Sequence, residues 1–428
     1  MVGSAIVGPD AITAGSSPGT SEIASVTTSA GEATAASLPP FTADRCFRTE
    51  FISDIGVRQF LLKNVYWIDK GKLAFRFNLK VLKSDFLTQG PQVPIFEKVV
   101  SSYCNSKYSI AVNSATSALH IACLALDLRE NDIVWTTPNT FVASANCVIY
   151  CGAKVDFVDI DLKTLNMSTY KLEEKLIEAK RKNKLPKIVI PVHFAGQSCN
   201  MKKIYELSKE YGFSIIEDAS HAIGGKYLNQ PIGGCQLSDI TVFSFHPVKI
   251  ITTAEGGIAT TNSIKLANKM QLFRSHGITR DNTLMKNQSD GDWYYEQRAL
   301  GFNYRLTDIQ AALGISQLKR LDSFVARRRE IVKQYFDKLD NSVLPYQHPD
   351  ANSSWHLFVI QTEDRKATYK QLKTQGIMTQ VHYIPVTSQP FYNRKKLKNS
   401  ADFYRHCLSL PIYADLNNNE QNRVINLL

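Results

Sequence analysis

The sequence predicts an α/β protein with a large, mainly parallel β-sheet and a smaller α+β domain toward the C-terminus. Short β-branched runs alternate with helical stretches through the middle of the chain, a pattern typical of parallel sheets covered by helices. The chain has 428 residues and a hydrophobic content of 44%, so it can bury large cores in two or three domains.

The first part of the chain differs in composition from the rest. Residues 1 to about 45 are rich in Ala, Ser, Thr, Gly and Pro and have no hydrophobic period. Such a segment cannot offset the entropy of ordering, so we expect it to be disordered. The stretch from Phe47 to Phe77 is apolar and basic but irregular. We therefore treat residues 1–78 as an atypical extension and begin the globular part at Leu79.

The predicted elements follow from hydrophobic periodicity and turn residues. Helices are expected over Val93–Tyr103 and Ala118–Leu126, and strands over Tyr108–Val112, Ile133–Thr136, Val155–Asp159, Ile188–Val192, Ser214–Asp218 and Ile240–Phe245. An antiparallel return strand is expected over Ile258–Thr261. These elements predict one large domain over residues 79–315.

A second domain is predicted over residues 316–428. One long helix, roughly Thr307–Leu339, leads into it. A strand over Trp355–Ile360, a helix near Tyr369–Gln375 and a terminal helix follow.

The charge of the chain bears on its partners. Its formal net charge is +11, which raises the question of nucleic acid. The basic clusters, Lys180–Lys182, Arg327–Arg329 and Arg394–Lys396, are short, separate and without interleaved aromatic residues. We interpret these clusters as basic surfaces that face solvent, and we expect no nucleic-acid partner. The positive net charge also suits an anionic small substrate.

The cysteines and the hydropathy bear on location. The eight cysteines form no CxxC pair, and Cys147 and Cys151 have no histidine pair beside them, so we expect buried thiols and no metal site. The chain contains no uncharged apolar run of about 18 residues and no secretory start. We therefore expect a soluble cytoplasmic protein without a membrane partner.

The stretch from Ser244 to Gly257 contains a candidate catalytic lysine. Lys249 follows an apolar predicted strand and precedes the Gly256-Gly257 turn. A lysine that is partly desolvated at a strand end has a lowered pKa and reacts with aldehydes. The alternative is an ordinary surface lysine.

Two further features fall at ends of predicted elements. Asp218 ends a strand, and a lysine with an aspartate is the pair that pyridoxal phosphate chemistry requires: the lysine forms the imine, and the aspartate keeps the pyridine nitrogen protonated. The segment Asn113–Ser117 lies between a strand and a helix start, where backbone N–H groups and the helix dipole favour phosphate. A plain Ser/Thr cap is the alternative for that segment.

At this point the sequence resembles a known family. From Leu79 to the C-terminus it is similar to the DegT/DnrJ/EryC1/StrS nucleotide-sugar aminotransferases, through the stretches Ser84–Pro91, Thr136–Phe141, Glu217–Ala222, Ser244–Gly257, Arg274–Ile278 and Gly301–Arg305. The resemblance implies an aspartate-aminotransferase-like fold, which is the type I fold of pyridoxal phosphate enzymes.

The resemblance also implies roles for single residues. Lys249 is the Schiff-base residue, Asp218 pairs with the pyridine nitrogen, and His221 lies near the ring hydroxyl. By the same likeness, Phe141 stacks on the ring, Ser244 and the backbone of Ala115 and Thr116 hold the phosphate, Asn303 reaches the cofactor phosphate of a neighbouring subunit, and Thr88, Gln89, His382 and Tyr383 lie near the nucleotide-sugar. An active homodimer is implied.

The activity implied by the resemblance is amino transfer from glutamate to C4 of a UDP-4-keto-6-deoxy-N-acetylhexosamine, as in the branch of the family that serves pseudaminic acid synthesis. Two alternatives remain. A sugar dehydratase of the same fold would have histidine in place of Lys249, and a cofactor-binding or regulatory homologue would have lost turnover. The chain departs from the family at Ala115, where glycine is usual, at Thr387, where close relatives have histidine, and throughout the segment before Leu79.

Overall fold

The computed structural model describes residues 78–392 and 396–428. The predicted disorder of residues 1 to about 45 and the irregular stretch up to Phe77 lie outside this range. Among the described residues, no helix is long and apolar enough to cross a membrane. The same residues contain no cluster of His, Cys, Asp and Glu side chains that could hold a metal ion.

A seven-stranded sheet forms the centre of the fold, with strand order β1-β9-β8-β5-β4-β2-β3. Its strands are β1 (Tyr108–Val112), β2 (Ile133–Thr136), β3 (Lys154–Phe157), β4 (Ile188–Ile190), β5 (Ser214–Asp218), β8 (Ile240–Ser244) and β9 (Gly257–Thr261). Strand β9 pairs antiparallel with β1 and β8, and every other pairing is parallel. The mainly parallel sheet and its antiparallel return strand are therefore confirmed.

Helices cover both faces of this sheet because its strands are apolar on both sides. In β1, Ile110 and Val112 join one core, whereas Ala111 joins a second. In β4, Ile188 belongs to the first core and Val189 to a third. Such two-sided burial is expected of parallel strands and explains the continuous apolar runs in the sequence.

The two helices predicted in this part of the chain, near Val93–Tyr103 and Ala118–Leu126, are present, and four further helices follow the strands. They are α1 (Gln92–Cys104), α2 (Ala115–Ala125), α3 (Ala143–Tyr150), α4 (Thr169–Arg181), α5 (Met201–Tyr211) and α6 (Ile264–Arg274). Helix α2 begins three residues earlier than Ala118, because Ser114 caps it by accepting a hydrogen bond from the N–H of Ser117. Short strands β6 (Lys226–Tyr227), β7 (Gln230–Pro231), β10 (Ile278–Thr279) and β11 (Glu296–Gln297) form two small hairpin-like pairs outside the main sheet.

The prediction of one long helix over Thr307–Leu339 is wrong. Two helices occupy this region, α7 (Asp308–Leu318) and α8 (Leu321–Lys338). No Gly or Pro marks the break, and Leu321 at the start of α8 packs in the same core as α7. Ala311 and Ile315 of α7 join the second core of the main sheet, whereas the later part of α8 joins a separate C-terminal core.

The C-terminal core gathers Ile331, Tyr335, Phe358 and Leu410. It is built from α8, β13 (Phe358–Gln361), α9 (Arg365–Thr374), β14 (Cys407–Leu410) and α11 (Asn418–Ile425). Strand β12 (Ala351–Asn352) pairs antiparallel with β6, and helix α10 (Lys398–His406) contributes Phe403 to a smaller separate core. Strand β13 is shorter than predicted and pairs antiparallel with β14. The domain boundary after residue 315 stays a prediction.

Candidate active site

A cavity of about 370 Å³ lies at the carboxyl ends of β5 and β8, opposite the first turn of α2. This is the edge of a parallel sheet where ligands usually bind. Its lining includes most of the residues singled out from the sequence, namely Ala115, Thr116, Phe141, Asp218, His221, Ser244, Lys249, His382 and Tyr383.

Three of the predicted site residues do not line this cavity. Thr88 and Gln89 are exposed in the turn before α1, where Thr88 forms an isolated β-bridge with Thr307. Asn303 is also exposed and is bridged to Ser275. A single chain therefore does not bring these three side chains to Lys249.

The first turn of α2 forms one end of the cavity. The first N–H groups of a helix have no partner within the helix, and the helix dipole adds positive charge there. Ala115 has helical backbone, so alanine stands in place of the usual glycine without strain. Gly257 is required opposite it, because a Cβ atom there would lie 2.4 Å from the Ala115 nitrogen.

Ser244 and Gly257 bring two strands to the same end. Ser244 is the last residue of β8 and is buried. Its hydroxyl accepts a hydrogen bond from the N–H of His246 at 3.4 Å, which leaves its proton for another acceptor. Together with the start of α2, this hydroxyl makes a donor-rich corner suited to a phosphate group.

Asp218 ends β5 and is buried, with 5% of its surface exposed. Its Oδ2 accepts a hydrogen bond from the hydroxyl of Ser144 at 2.6 Å, and its Oδ1 accepts one from the N–H of Ser220 at 3.1 Å. Carboxylate oxygens offer about four acceptor sites in total, so Asp218 can accept a further proton donor from the cavity.

Lys249 is half-buried between the cavity and the core. Its desolvation lowers the pKa of its amine to about 8, although the Asp218 carboxylate acts in the opposite direction. At neutral pH an amine with that pKa is neutral in roughly one molecule in ten, far more than an ordinary lysine. This amine can therefore act both as a nucleophile and as a proton carrier.

His221 and Tyr383 face each other beside Lys249. Burial, together with the charge of Lys249, holds the pKa of His221 well below its usual range, and burial raises the pKa of Tyr383. The phenol and Nε2 of the neutral imidazole share a hydrogen bond at 2.9 Å, and when the phenol donates, the imidazole proton lies on Nδ1. That Nδ1 is buried and has no hydrogen-bond partner among the described residues, so it is available to a ligand.

Phe141 and His382 complete the cavity. The ring of Phe141 is 60% exposed and lies 6.5 Å from the ring of Tyr383, which leaves a face for a flat ligand. His382 bonds through Nδ1 to the hydroxyl of Ser409 at 2.7 Å. Burial and the Lys249 charge lower the pKa of His382 to about 4, so it is neutral at neutral pH.

Several residues of the site were missed by the sequence reasoning. Ser144 and Thr140 approach Asp218 from behind, and His246 and Glu255 stand at the cavity mouth, 3.8 Å apart. The spacing of Thr140 and Ser144 offered a signal, since residues four apart at a helix start share one face. Nothing local connects either of them to Asp218, which lies more than seventy residues away in sequence.

The cavity combines a phosphate corner, a reactive amine, a buried carboxylate with a free acceptor site, an unpaired imidazole N–H and an exposed aromatic face. A flat, phosphate-bearing heteroaromatic aldehyde would satisfy all five. The His221 N–H in particular would find an acceptor in a ring oxygen. The residues present therefore fit pyridoxal phosphate.

Comparisons with known proteins agree with this chemistry. Chains of similar sequence include the UDP-4-amino-4,6-dideoxy-N-acetyl-beta-L-altrosamine transaminase of Campylobacter jejuni, which is 38% identical over 354 residues, or 79% of this chain and 89% of that protein. The spore coat polysaccharide biosynthesis protein SpsC of Bacillus subtilis is 36% identical over 371 residues, or 83% of this chain and 93% of that protein.

Solved structures of aminotransferases also match this chain. Helicobacter pylori PseC, an aminotransferase involved in the biosynthesis of pseudoaminic acid, matches with a TM-score of 0.76 and 33% identity over 84% of this chain and 96% of that chain. Spr1654 from Streptococcus pneumoniae, in its PLP-form, matches with a TM-score of 0.74 and 27% identity over 84% of this chain and 95% of that chain. The predicted aminotransferase fold is thus confirmed.

The family is identified by comparing the chain with models of known protein families. The model of the DegT/DnrJ/EryC1/StrS aminotransferase family matches residues 72–428, which is most of the chain. The resemblance carried by the short stretches around Asp218, Lys249 and Asn303 is therefore confirmed over the whole globular part. The chain belongs to the DegT/DnrJ/EryC1/StrS aminotransferase family.

Proposed function

We propose that this protein is a pyridoxal phosphate-dependent aminotransferase of nucleotide sugars. It moves an amino group from glutamate to C4 of a UDP-4-keto-6-deoxy-N-acetylhexosamine and gives a UDP-4-amino sugar for surface glycan synthesis. The observation that carries this proposal is that Lys249 and Asp218 share one cavity with the N-terminus of α2. The names of the Campylobacter and Helicobacter relatives support the choice of sugar.

Each residue of the cavity has a task in this reaction. Bound pyridoxal phosphate supplies an aldehyde that takes up amino groups and a protonated ring that withdraws electrons from the neighbouring carbon. Asp218 would keep the ring nitrogen protonated, and Nδ1 of His221 would bind the ring oxygen. Ser244 and the N–H groups of Ala115 and Thr116 hold the phosphate.

Lys249 carries the proton. Its lowered pKa would let the neutral amine remove a proton from the amino carbon of the donor and hold it on Nζ for return during amino transfer. The same group works in reverse when the sugar ketone accepts nitrogen. Because this step needs an amine at position 249, Lys249 argues against the dehydratase alternative, in which histidine replaces it.

The sugar end of the site is proposed to lie at His382 and Tyr383, with Thr88 and Gln89 supplied by the second subunit or by loop movement. Asn303 is proposed to reach the cofactor phosphate of the neighbouring subunit. Thr387, which stands where close relatives have histidine, is buried within a single helical turn, so it offers no side chain to the cavity. Free thiols at the seven cysteines of the described residues suit a cytoplasmic enzyme.

The test is incubation of the purified protein with glutamate labelled with ¹⁵N and a panel of UDP-, dTDP- and GDP-linked 4-keto sugars. Mass spectrometry should find the labelled amino sugar with the UDP-linked substrate. Lys249→Ala should lose both this product and the yellow absorption of the bound cofactor. Cofactor binding without transfer to any sugar would favour the regulatory alternative, and a product without new nitrogen would favour the dehydratase.

A further inference from the structure

We propose that Ser144 is a positioning residue for this reaction. It donates a hydrogen bond to Asp218 and itself accepts one from Thr140, and it thereby keeps the Asp218 carboxylate ionised where it faces the cofactor nitrogen. Ser144 lies in the first turn of α3 and is fully buried. It does not line the cavity, so it acts through Asp218 and not on a ligand. This inference rests on the proposed function.

The hydrogen-bond distances fix the order of the three groups. The Ser144 Oγ lies 2.6 Å from Asp218 Oδ2 and 2.7 Å from Thr140 Oγ1. The other acceptor near Ser144, the carbonyl oxygen of Phe141, is 3.4 Å away and is a poor partner at that length. The short contact with Asp218 falls in the range of hydroxyl to carboxylate bonds.

The direction of each proton follows from the chemistry of the acceptor. An ionised carboxylate can only accept, so Ser144 must donate its single proton to Asp218. Ser144 therefore has no proton left for Thr140, and Thr140 must donate to Ser144. The hydrogen bonds therefore run from Thr140 to Ser144 and from Ser144 to Asp218 Oδ2, and we call this chain of two hydrogen bonds the relay.

This relay leaves the cavity side of Asp218 open. The other carboxylate oxygen, Oδ1, accepts only from the N–H of Ser220 among the described residues. Acceptor sites on Asp218 thus remain for the ring nitrogen of the cofactor. Thr140, Asp218 and Ser220 border the cavity, while Ser144 stands behind them.

The consequence concerns where the shared proton resides. A donated hydrogen bond stabilises the charged carboxylate over its protonated form. With Ser144 present, the proton between Asp218 and the ring nitrogen stays on nitrogen, which is the form that withdraws electrons. Without Ser144, the carboxylate loses this hydrogen bond and competes with the ring nitrogen for that proton.

The experiment compares Ser144→Ala, Thr140→Val and the double variant with the unmodified holoenzyme, each reconstituted with pyridoxal phosphate labelled with ¹⁵N in its ring. In Ser144→Ala the nitrogen resonance should move toward that of unprotonated pyridine. The kcat should fall about tenfold or more, as expected for loss of a bond to a charged group, while KM for the sugar stays nearly constant. Thermal melting of each variant checks folding.

Thr137→Val is the matched control. Thr137 is a buried threonine that directly follows β2, in the same segment as Thr140. Its hydroxyl has no hydrogen-bond partner in the described part of the chain. Replacing it removes a buried hydroxyl without touching Asp218. Its nitrogen resonance and kcat should match those of the unmodified enzyme.

The double variant separates the relay from a direct effect of Thr140 on the ligand. If Thr140 acts through Ser144, adding Thr140→Val to Ser144→Ala should change neither the resonance nor kcat further. Additive losses would overturn the relay, and an unchanged resonance in Ser144→Ala would overturn the role of Ser144. Either result would leave the proposed function intact, because that depends on amino transfer by the unmodified protein.

Discussion

Lys249 shows how a single residue acquires its chemistry from its surroundings. Desolvation lowers the pKa of its amine to about 8, and the Asp218 carboxylate limits that shift. His221 and His382 add no positive charge nearby, because burial and the lysine itself hold their pKa values low. Lys249 is therefore a cation that loses its proton easily, and the Asp218 carboxylate stabilises its charged form.

The lowered pKa of Lys249 predicts how the reactivity of its amine depends on pH in the cofactor-free protein. The neutral fraction of the amine grows as pH rises through the pKa, so acetylation of Lys249 by acetic anhydride should show a midpoint near pH 8. Asp218→Asn removes the charge that raises this pKa, so the midpoint should move lower. Peptide mass spectrometry after short pulses would measure both.

Lys171 provides an internal comparison in the same samples. It is exposed on α4, and its hydrogen bond to Glu174 raises its pKa. Its acetylation should therefore begin only at higher pH than that of Lys249. A midpoint for Lys249 near that of an ordinary lysine, about 10.4, would contradict the desolvation argument.

The sequence predicted some of these residues and not others, for a physical reason. Lys249 and Asp218 each end an apolar strand, and strand ends of a parallel sheet meet at one edge, so local pattern sufficed. Ser144 and Glu255 reach the site from a helix and a loop whose placement depends on tertiary packing. The spacing of Thr140 and Ser144 is the only local signal for Ser144, and it does not connect that residue to Asp218.

At the scale of elements, the turn before α1 is fixed by the start of α7. The buried Asp308 accepts hydrogen bonds from the N–H groups of Gly90 at 2.8 Å and Gln92 at 2.7 Å. Its own N–H donates to the carbonyl of Leu87 at 3.0 Å. A turn from the beginning of the globular part is thus tied to a helix more than 200 residues later.

Asp308→Asn tests this link. An asparagine keeps the shape but offers one acceptor oxygen and places an NH₂ group against an N–H donor. The free energy of unfolding should fall by about 1–3 kcal/mol, the cost of leaving a buried donor unpaired. Urea unfolding measures this loss, and hydrogen exchange at Gly90 and Gln92 should become faster.

Asp85→Asn is the matched control for that experiment. Asp85 is exposed in the same segment, so its replacement should change the unfolding free energy by no more than about 0.5 kcal/mol. Equal losses in the two variants would mean that charge near α1, and not the two hydrogen bonds to Asp308, stabilises the turn.

The helix pair α7 and α8 shows where local pattern fails at this scale. Leu313, Leu318 and Leu321 suit one continuous stripe, and no residue in that span stops a helix by itself. Both sides of the break pack against the same core, through Ile315 of α7 and Leu321 of α8, and only the later part of α8 continues into the C-terminal core. Hydrophobic periodicity predicts that a segment is helical, but it does not show which core each turn joins.

At the scale of the molecule, the cavity is assembled from distant parts of the chain. Strands β5 and β8 and helix α2 come from the main sheet, whereas His382 and Tyr383 come from a loop beyond β13. Arg328 of α8 strengthens this arrangement, since its buried guanidinium donates to the carbonyls of Trp355, His356 and Ile412. The His356 ring in turn packs 4.5 Å from that of His221.

The exposed position of Asn303 indicates a role in the site of a second subunit. Its side chain lies outside the cavity, and the preceding segment exposes Trp293, Tyr295 and Leu300 at 71%, 52% and 80%. Large exposed apolar side chains are typical of interaction surfaces. We therefore predict a homodimer in which Asn303 of one subunit completes the phosphate corner of the other.

Mixing two damaged variants tests that prediction. Lys249→Ala lacks the amine, and Asn303→Ala lacks the amide, so each homodimer should transfer little nitrogen. In a mixed dimer, one site joins an intact Lys249 to an intact Asn303 of the other subunit. Because half of the dimers are mixed after random exchange and each has one complete site of two, activity should recover to about one quarter of the unmodified level. If Asn303 served its own subunit, no mixed site would be complete and activity would stay at the level of the separate variants.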